Sequence, residues 1–331
     1  MPGMARIRTL RRGPAAIALL AAVALASCSD PLRDESEAAN ARAHLETLLD
    51  VMEANSVNRK LIDWTRFRSA VLAEAPDPPD LGGTFQAIYV ALGLLGDNQS
   101  MYIAPRRWNL TITSSTVTCT GDTPAPVTVP PDIGYVRVFN AAGGTGAQSY
   151  ASSMQGSIRS QDTGARTGWI VDLRGNRSSD MWPMITGMGP FLGEGTVGYF
   201  VDPDGVETEW RYLAGASLLG GSIKVGIGAP HTLTNGNAPV AVLLDGGLGG
   251  YGEGVAMAFM GRPNTRFFGK PSCGLSAALS SYGIEGAALV LAVSRMADRD
   301  KVVHSGPLVP DVATSTHQEL FDSAVAWLRG G

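Results

Sequence analysis

The stretch PVAVLLDGGLGGYGE, residues 239–253, decides how the chain is read. Val240 to Leu244 form an uninterrupted apolar run of buried-strand length. A Gly-rich turn follows, and then a helical pattern beginning near Gly252 and carrying Val255, Ala256 and Phe259. A strand, a tight turn and a helix N-terminus together suit nucleophilic catalysis. The turn lifts one side chain clear of the backbone, and the first free N–H groups of the helix stabilise an oxyanion. The residues displayed here are Leu248, Gly249, Gly250 and Tyr251, none of which is a hydrolytic nucleophile. The frame fits a serine, and no serine occupies it.

Outward from this stretch, the segment 132–331 alternates strand and helix patterns. Gly134 to Phe139 reads as a strand, Ala147 to Ser160 as a helix, and Trp169 to Leu173 as a buried strand. Such alternation predicts an α/β layer structure. Residues 35–96 read as helices with apolar stripes: Leu45, Leu48, Leu49 and Met52; Trp64, Phe67 and Val71 behind Asp63 as N-cap; and Phe85, Ile88, Tyr89, Leu92 and Leu95. These stripes are read as core packing of a helical cap. Residues 111–131, rich in Thr, Ser and Pro, read as a strand plus linker.

The turn together with several separated motifs resembles the tail-specific, or C-terminal processing, serine peptidases. Their nucleophile motif runs roughly T-A-S-[AS]-G-E, and aligned on Gly252-Glu253 its serine falls on Gly250. Asp172-Leu173-Arg174-Gly175-Asn176 matches the family's D-L-R-G-N loop, and Gly261 to Gly269 followed by Pro271 matches the strand after the nucleophile helix. Asp63-Trp64, Gly96-Asp97 with Ser100, Met296 to Arg299, and Val309-Pro310-Asp311 fall in the family's order. The resemblance implies a ClpP or crotonase-like core over 132–331, with a helical cap over 28–110 and a strand and linker over 111–131. About twenty linker residues are too few for the PDZ domain that many members carry there.

The resemblance also implies where a general base belongs. In the processing branch it is a lysine, and the matching position is Leu275. In the branch resembling tricorn and the nisin resistance protein, closest in pattern to this chain, it is a histidine, whose place is taken by Gln99. Gln99 hydrogen-bonds but accepts no proton near neutral pH, and Leu275 does neither. The oxyanion and substrate loop departs too: R-G-N-x-G-G has become Arg174-Gly175-Asn176-Arg177-Ser178-Ser179, in which serines restrict a backbone that glycines leave free. Nucleophile, base and loop have each lost a required feature, which predicts a non-catalytic homologue that keeps a cleft for a peptide or protein tail. Glu253 is the retained family acid, read either as a shaper of the site or as a first-turn acid favoured by the helix dipole.

Two other classes compete. A relocated hydrolase would draw on Ser100, Ser178, Ser179, Ser272, Ser276 or Cys273. His44 and His317 are placed in helices and His231 and His304 in loops, none at a motif position. Gly247 to Gly252 also satisfies G-x-G-x-x-G, but no acid stands about twenty residues on to hold a ribose, so a dinucleotide is disfavoured. No cofactor is implied, and no histidine or cysteine spacing implies a metal.

The N-terminus reads as an address. Arg6, Arg8, Arg11 and Arg12 precede an apolar run from Ala15 to Ala26, too short to span a bilayer, which ends Leu25-Ala26-Ser27-Cys28. This resembles a lipoprotein signal over 1–27 with Cys28 as the lipid-anchored first mature residue at the bacterial envelope. Without the leader, 22 basic residues face 30 acidic ones, a net of -8 that disfavours nucleic acid. Cys119 and Cys273 form a possible disulfide; two buried thiols are an equal reading.

Overall fold

The computed structural model describes residues 31–121, 128–141 and 143–330; the leader and Cys28 lie outside them. Three helices come first, α1 (Pro31–Asn55), α2 (Trp64–Ala73) and α3 (Phe85–Leu95), followed by short strands β1 (Met101–Ile103) and β2 (Thr111–Thr113). Next are β3 (Ile133–Arg137), α4 (Ala147–Gln161), β4 (Gly168–Asp172) and α5 (Trp182–Leu192). An antiparallel run follows: β5 (Gly195–Val201), β6 (Glu207–Leu213), β7 (Ala216–Leu219) and β8 (Ser222–Gly226). The last stretch holds β9 (Val240–Leu244), α6 (Tyr251–Phe259), β10 (Thr265–Gly269), β11 (Ala277–Ile284), β12 (Ala287–Ala297), β13 (Val303–His304), β14 (Val312–Ala313) and α7 (His317–Leu328).

One sheet is parallel throughout, in the order β14-β10-β9-β4-β3. The crossover helices α4, α5 and α6 cover one face and α7, after the last strand, covers the other, which is why β9 and β4 read as unbroken apolar runs. Val240, Val242, Leu244, Trp169 and Val171 turn toward Met184, Ile185, Met188 and Phe191 of α5 and Val255, Ala256 and Phe259 of α6. Ala241, Leu243, Ile170 and Phe268 turn the other way, onto Leu320, Phe321, Ala324 and Leu328 of α7. The chain is an α/β protein with the site-bearing turn at the carboxyl end of its central strand.

The second sheet has nine strands built around β12, which pairs with β1, β5, β11 and β13. The N-terminal helices lie against it: Leu45, Leu48, Leu49, Met52, Phe67, Val71, Ile88 and Leu92 share one apolar cluster with Tyr102, Ile284, Leu289 and Leu291. Asp63 caps α2, its side chain accepting from Arg66 N at 3.1 Å. Tyr89 departs from its predicted stripe and stands 49 % exposed. Successive helical residues sit about 100° apart, so Ile88 and Tyr89 cannot both face the core. His304 also departs from expectation, lying in β13 rather than in a loop.

The family resemblance implies a substrate-binding strand edge beside the D-L-R-G-N loop, built by Asp172 to Asn176 and Arg266 to Gly274. The topology overturns this. β4 is flanked by β3 and β9, and β10 by β9 along its length and by β14 at Phe268 and Gly269, so β4 and the end of β10 are interior. Beyond β10, Lys270 N, Ser272 N and Cys273 N donate to Leu244 O, Leu308 O and Leu248 O.

Candidate functional site

Gly250 caps α6 with φ +59° and ψ -135°, a backbone state nearly closed to L side chains. The turn therefore keeps the strained shape that presents a nucleophile, while the residue in it has neither strain nor side chain. A Cβ built there would meet Ser178 O at 3.4 Å. Tyr251 packs at the edge of the core beside α6, and its hydroxyl accepts from Leu279 N of β11 at 3.3 Å.

The linker after β2 runs over this turn. Cys119 and Cys273 are joined in a disulfide across a separation of 154 residues, with Cα atoms 5.2 Å apart. The bridge lies against Gly249, where a Cβ would stand 3.4 Å from Cys119 Sγ and 3.3 Å from Cys273 Cβ. Two residues on, a Cβ at Gly121 would come within 2.6 Å of Asp245 Oδ2 and 2.8 Å of Gly247 Cα, so only glycine fits. Residues 117–121 thus form a strap on the Gly-rich turn, and Cys273 is removed as a thiol nucleophile.

Five successive N–H groups of the loop beside the turn are engaged within the chain. Arg174 N donates to Asp172 Oδ1 (3.1 Å), Gly175 N to Asp245 Oδ1 (2.8 Å), Asn176 N to Leu173 O (3.1 Å), Arg177 N to Asn140 Oδ1 (2.8 Å) and Ser178 N to Asn176 Oδ1 (3.1 Å). Asn176 O in turn accepts from Gly249 N at 2.9 Å, tying loop to turn. The Arg174 side chain faces away, paired with buried Asp172 at 2.7 Å and stacked over Phe321 of α7. An oxyanion needs donors aimed at it that nothing else has taken; these five are taken.

The two alternative base positions are neighbours in space. In the amide orientation that satisfies both ends, Gln99 Nε2 donates to Leu275 O at 2.9 Å and Oε1 accepts from Ala277 N at 3.2 Å. Gln99 thus bonds the segment that carries Leu275. Beside it, between the N-terminal helices and the nine-stranded sheet, lies a polar cavity of about 260 Å³ lined in part by Asn58, Gln99, Ser276, Arg295 and His304.

Glu253 is fully buried on α6. One carboxylate oxygen accepts from Ser272 Oγ and from Gly274 N (2.7 Å), and the other has no partner among the described residues. Burial pushes its pKa up to about 7, against the lowering by these hydrogen bonds. Glu253 stands in the first turn of α6, as the dipole reading has it, and it is buried there beside the Gly-rich turn. Asp245, an acid the sequence reading passed over, is also buried. Its Oδ1 holds Gly175 N and Gly247 N, its Oδ2 lies unpartnered against the strap, and burial raises its pKa. Its signal was present, a carboxylate ending a wholly apolar strand.

The candidate replacement serines are mostly structural. Ser100 Oγ donates to Asp97 (2.6 Å) and accepts from Ala292 N (3.0 Å). Ser178 Oγ donates to Ala141 O (2.6 Å), and Ser276 Oγ reaches His304 O (3.4 Å). Ser179 is exposed, and Ser272 is buried on Glu253 while accepting from Leu308 N (2.7 Å). None of the four histidines pairs with any of these hydroxyls. Their polar partners include Tyr102 and Glu285 for His44, Asp162 for His231, Asp298 for His304 and Arg174 for His317.

This core, with a nucleophile-type turn and a D-L-R-G-N loop, defines a serine-peptidase architecture. The profile of peptidase family S41 matches residues 132–314, more than half of the chain, and the chain belongs to that family. The nisin-resistance protein of Lactococcus lactis subsp. lactis is 31 % identical over 188 residues, 55 % of each chain. The chain therefore spans about half the length of that relative in the match. A lipoprotein of Streptococcus agalactiae superposes with a TM-score of 0.66 at 19 % identity, covering 88 % of this chain and 96 % of the other. The photosystem II D1 C-terminal processing protease superposes with a TM-score of 0.58 at 13 % identity, covering 86 % and 97 %. These two likenesses extend the family's fold beyond the matched segment.

Proposed function

We propose that this chain is a non-catalytic S41 homologue that holds a peptide or protein tail at the bacterial cell envelope without cutting it. The observation that carries the reading is the loop at Arg174 to Ser178, whose five N–H groups are engaged within the chain. With Gly250 in the serine's place and Gln99 and Leu275 in the base positions, neither the family's nucleophile nor its base is present, and the five loop N–H groups are not offered to an oxyanion. Peptidases of this family act on peptides or proteins, which sets the class of partner. The cavity between the helical cap (28–110) and the core (132–331) is where that partner enters. The names of the nisin-resistance protein and of the streptococcal lipoprotein support an envelope location, and Cys28 supplies the anchor.

One observation favours a relocated nucleophile: Ser272 Oγ donates to Glu253, a carboxyl whose pKa is raised to about 7. Against it, Ser272 is only 5 % exposed and its oxygen already accepts from Leu308 N. A fluorophosphonate probe with mass-spectrometric mapping, together with a degenerate peptide library, separates the two. We expect no labelling and no cleavage; labelling at Ser272, Ser100 or Ser179 overturns the non-catalytic reading.

A further inference from the structure

The cavity beside Gln99 is lined by a guanidinium, that of Arg295, which has no ion-pair partner among the described residues. Arg295 lies on β12, its backbone fixed between Ala277 of β11 and Val201 of β5. Nη2 donates to Asn58 Oδ1 at 2.9 Å, and no Asp or Glu among the described residues comes within ion-pair range of the guanidinium. A guanidinium has five N–H donors, so most of its fork is open.

The acids nearby are committed elsewhere. Asp97, which lines the cavity, accepts from Gln99 N and Ser100 N on one oxygen and from Ser100 Oγ on the other. Asp298 accepts from Asp300 N and Val302 N and holds His304 Nε2 at 2.8 Å. The lining therefore presents a guanidinium, an imidazole, amides and hydroxyls, together with the Asp97 carboxylate, whose oxygens are held by Gln99 N, Ser100 N and Ser100 Oγ. Arg295 is also placed on a rigid strand rather than a loop, so its fork needs little ordering to accept a planar anion.

We infer that this cavity binds a carboxylate, with Arg295 as the anchor and His304 beside it. A carboxylate matches the guanidinium fork in two parallel hydrogen bonds and gives the buried side of the charge its counter-ion. On the peptide-holding reading, which this inference deepens, the carboxylate is an acidic side chain or the terminus of the bound chain. Selectivity then comes from a single pair in the old base region, where Gln99 and Leu275 themselves carry no charge.

The test uses the whole mature protein and four versions of a degenerate peptide library: free-acid or amidated at the C-terminus, and with Glu or Gln inside. Wild type is expected to favour carboxylate-bearing versions by about tenfold or more. Arg295→Met should abolish that preference, and Arg295→Lys, which keeps the charge but loses the fork, should retain part of it. Preference for acid over amide marks the terminus as source; preference for Glu over Gln marks the side chain. If all four versions bind wild type and Arg295→Met alike, the carboxylate inference is overturned while the peptide reading stands. If none binds, the peptide reading fails and glutarate decides the cavity. Saturable shifts of the His304 ring resonances in wild type but not in Arg295→Met uphold the carboxylate site, and no shift at tens of millimolar glutarate sinks it.

Discussion

Glu253 shows how much of the ancestral site persists one residue at a time. It lies on α6, three residues past the vacant nucleophile position, fully buried, with one oxygen on Ser272 and Gly274 and the other unpartnered. Its pKa rises from 4.5 to about 7 because burial disfavours the charged form. The folded protein thus holds this proton to a higher pH than the unfolded chain does, so stability is full below about 4.5 and declines as pH rises toward 7. At about 1.4 kcal/mol per unit, the decline is on the order of 3 kcal/mol. Glu253→Gln keeps the acceptor oxygen and removes the titration, so its urea-derived stability should lack this fall. Parallel pH profiles for the two proteins would show that the carboxyl is not the cause. Gly250 makes the complementary case. A serine there would adopt a backbone state that costs about 1–3 kcal/mol and would find Gln99 and Leu275 where a base is needed. Gly250→Ser should melt earlier and cleave nothing, and measurable peptidase turnover in that single variant would contradict the account of the lost base. Adding Gln99→His is the smallest change that returns a proton acceptor.

At the scale of elements, the strap over the Gly-rich turn separates what the sequence carries from what it hides. The apolar run at β9, the turn and the start of α6 were legible because each follows from local chemistry: β-length hydrophobicity, glycines, helix periodicity. The closeness of Gln99 and Leu275 was legible only through family resemblance, since pairing across 176 positions has no local signal. The strap was not legible at all. Residues 117–121 read as a polar linker, and their contact with Asp245, Gly247 and Gly249 depends on a bridge between Cys119 and Cys273 that sequence separation left open. The same blindness misplaced the peptide-binding edge, because whether β10 is interior depends on β14, a two-residue strand some forty positions later. Closing a loop of this length restricts the unfolded chain by roughly 5 kcal/mol in the loop-entropy model. Cys119→Ser should therefore lower stability by several kcal/mol, and amide exchange should accelerate first in 117–121 and at the turn it covers. If exchange instead quickens uniformly over the parallel sheet, the strap is part of the core and does not open on its own.

At the scale of the whole molecule, charge and hydropathy bear on the proposed lipid anchor. No helix among the described residues is long and apolar enough to cross a bilayer. Without residues 1–27 the chain has 22 basic and 30 acidic side chains, so an anionic lipid surface repels it on balance. On the proposed envelope reading, attachment is assigned to Cys28, which lies outside the described residues. Each buried methylene of an acyl chain contributes about 0.8 kcal/mol, so one chain binds marginally and two or three hold firmly. Cys28→Ser should accordingly shift the protein from the membrane to the soluble fraction, or leave it unprocessed with its leader attached, and in either case change its mass. Raising the salt concentration should not mimic this release, because screening weakens electrostatic attachment and leaves acyl burial intact. Membrane association that persists in Cys28→Ser at unchanged mass, or that salt alone reverses in the wild type, would place the attachment on the folded surface and not on the lipid.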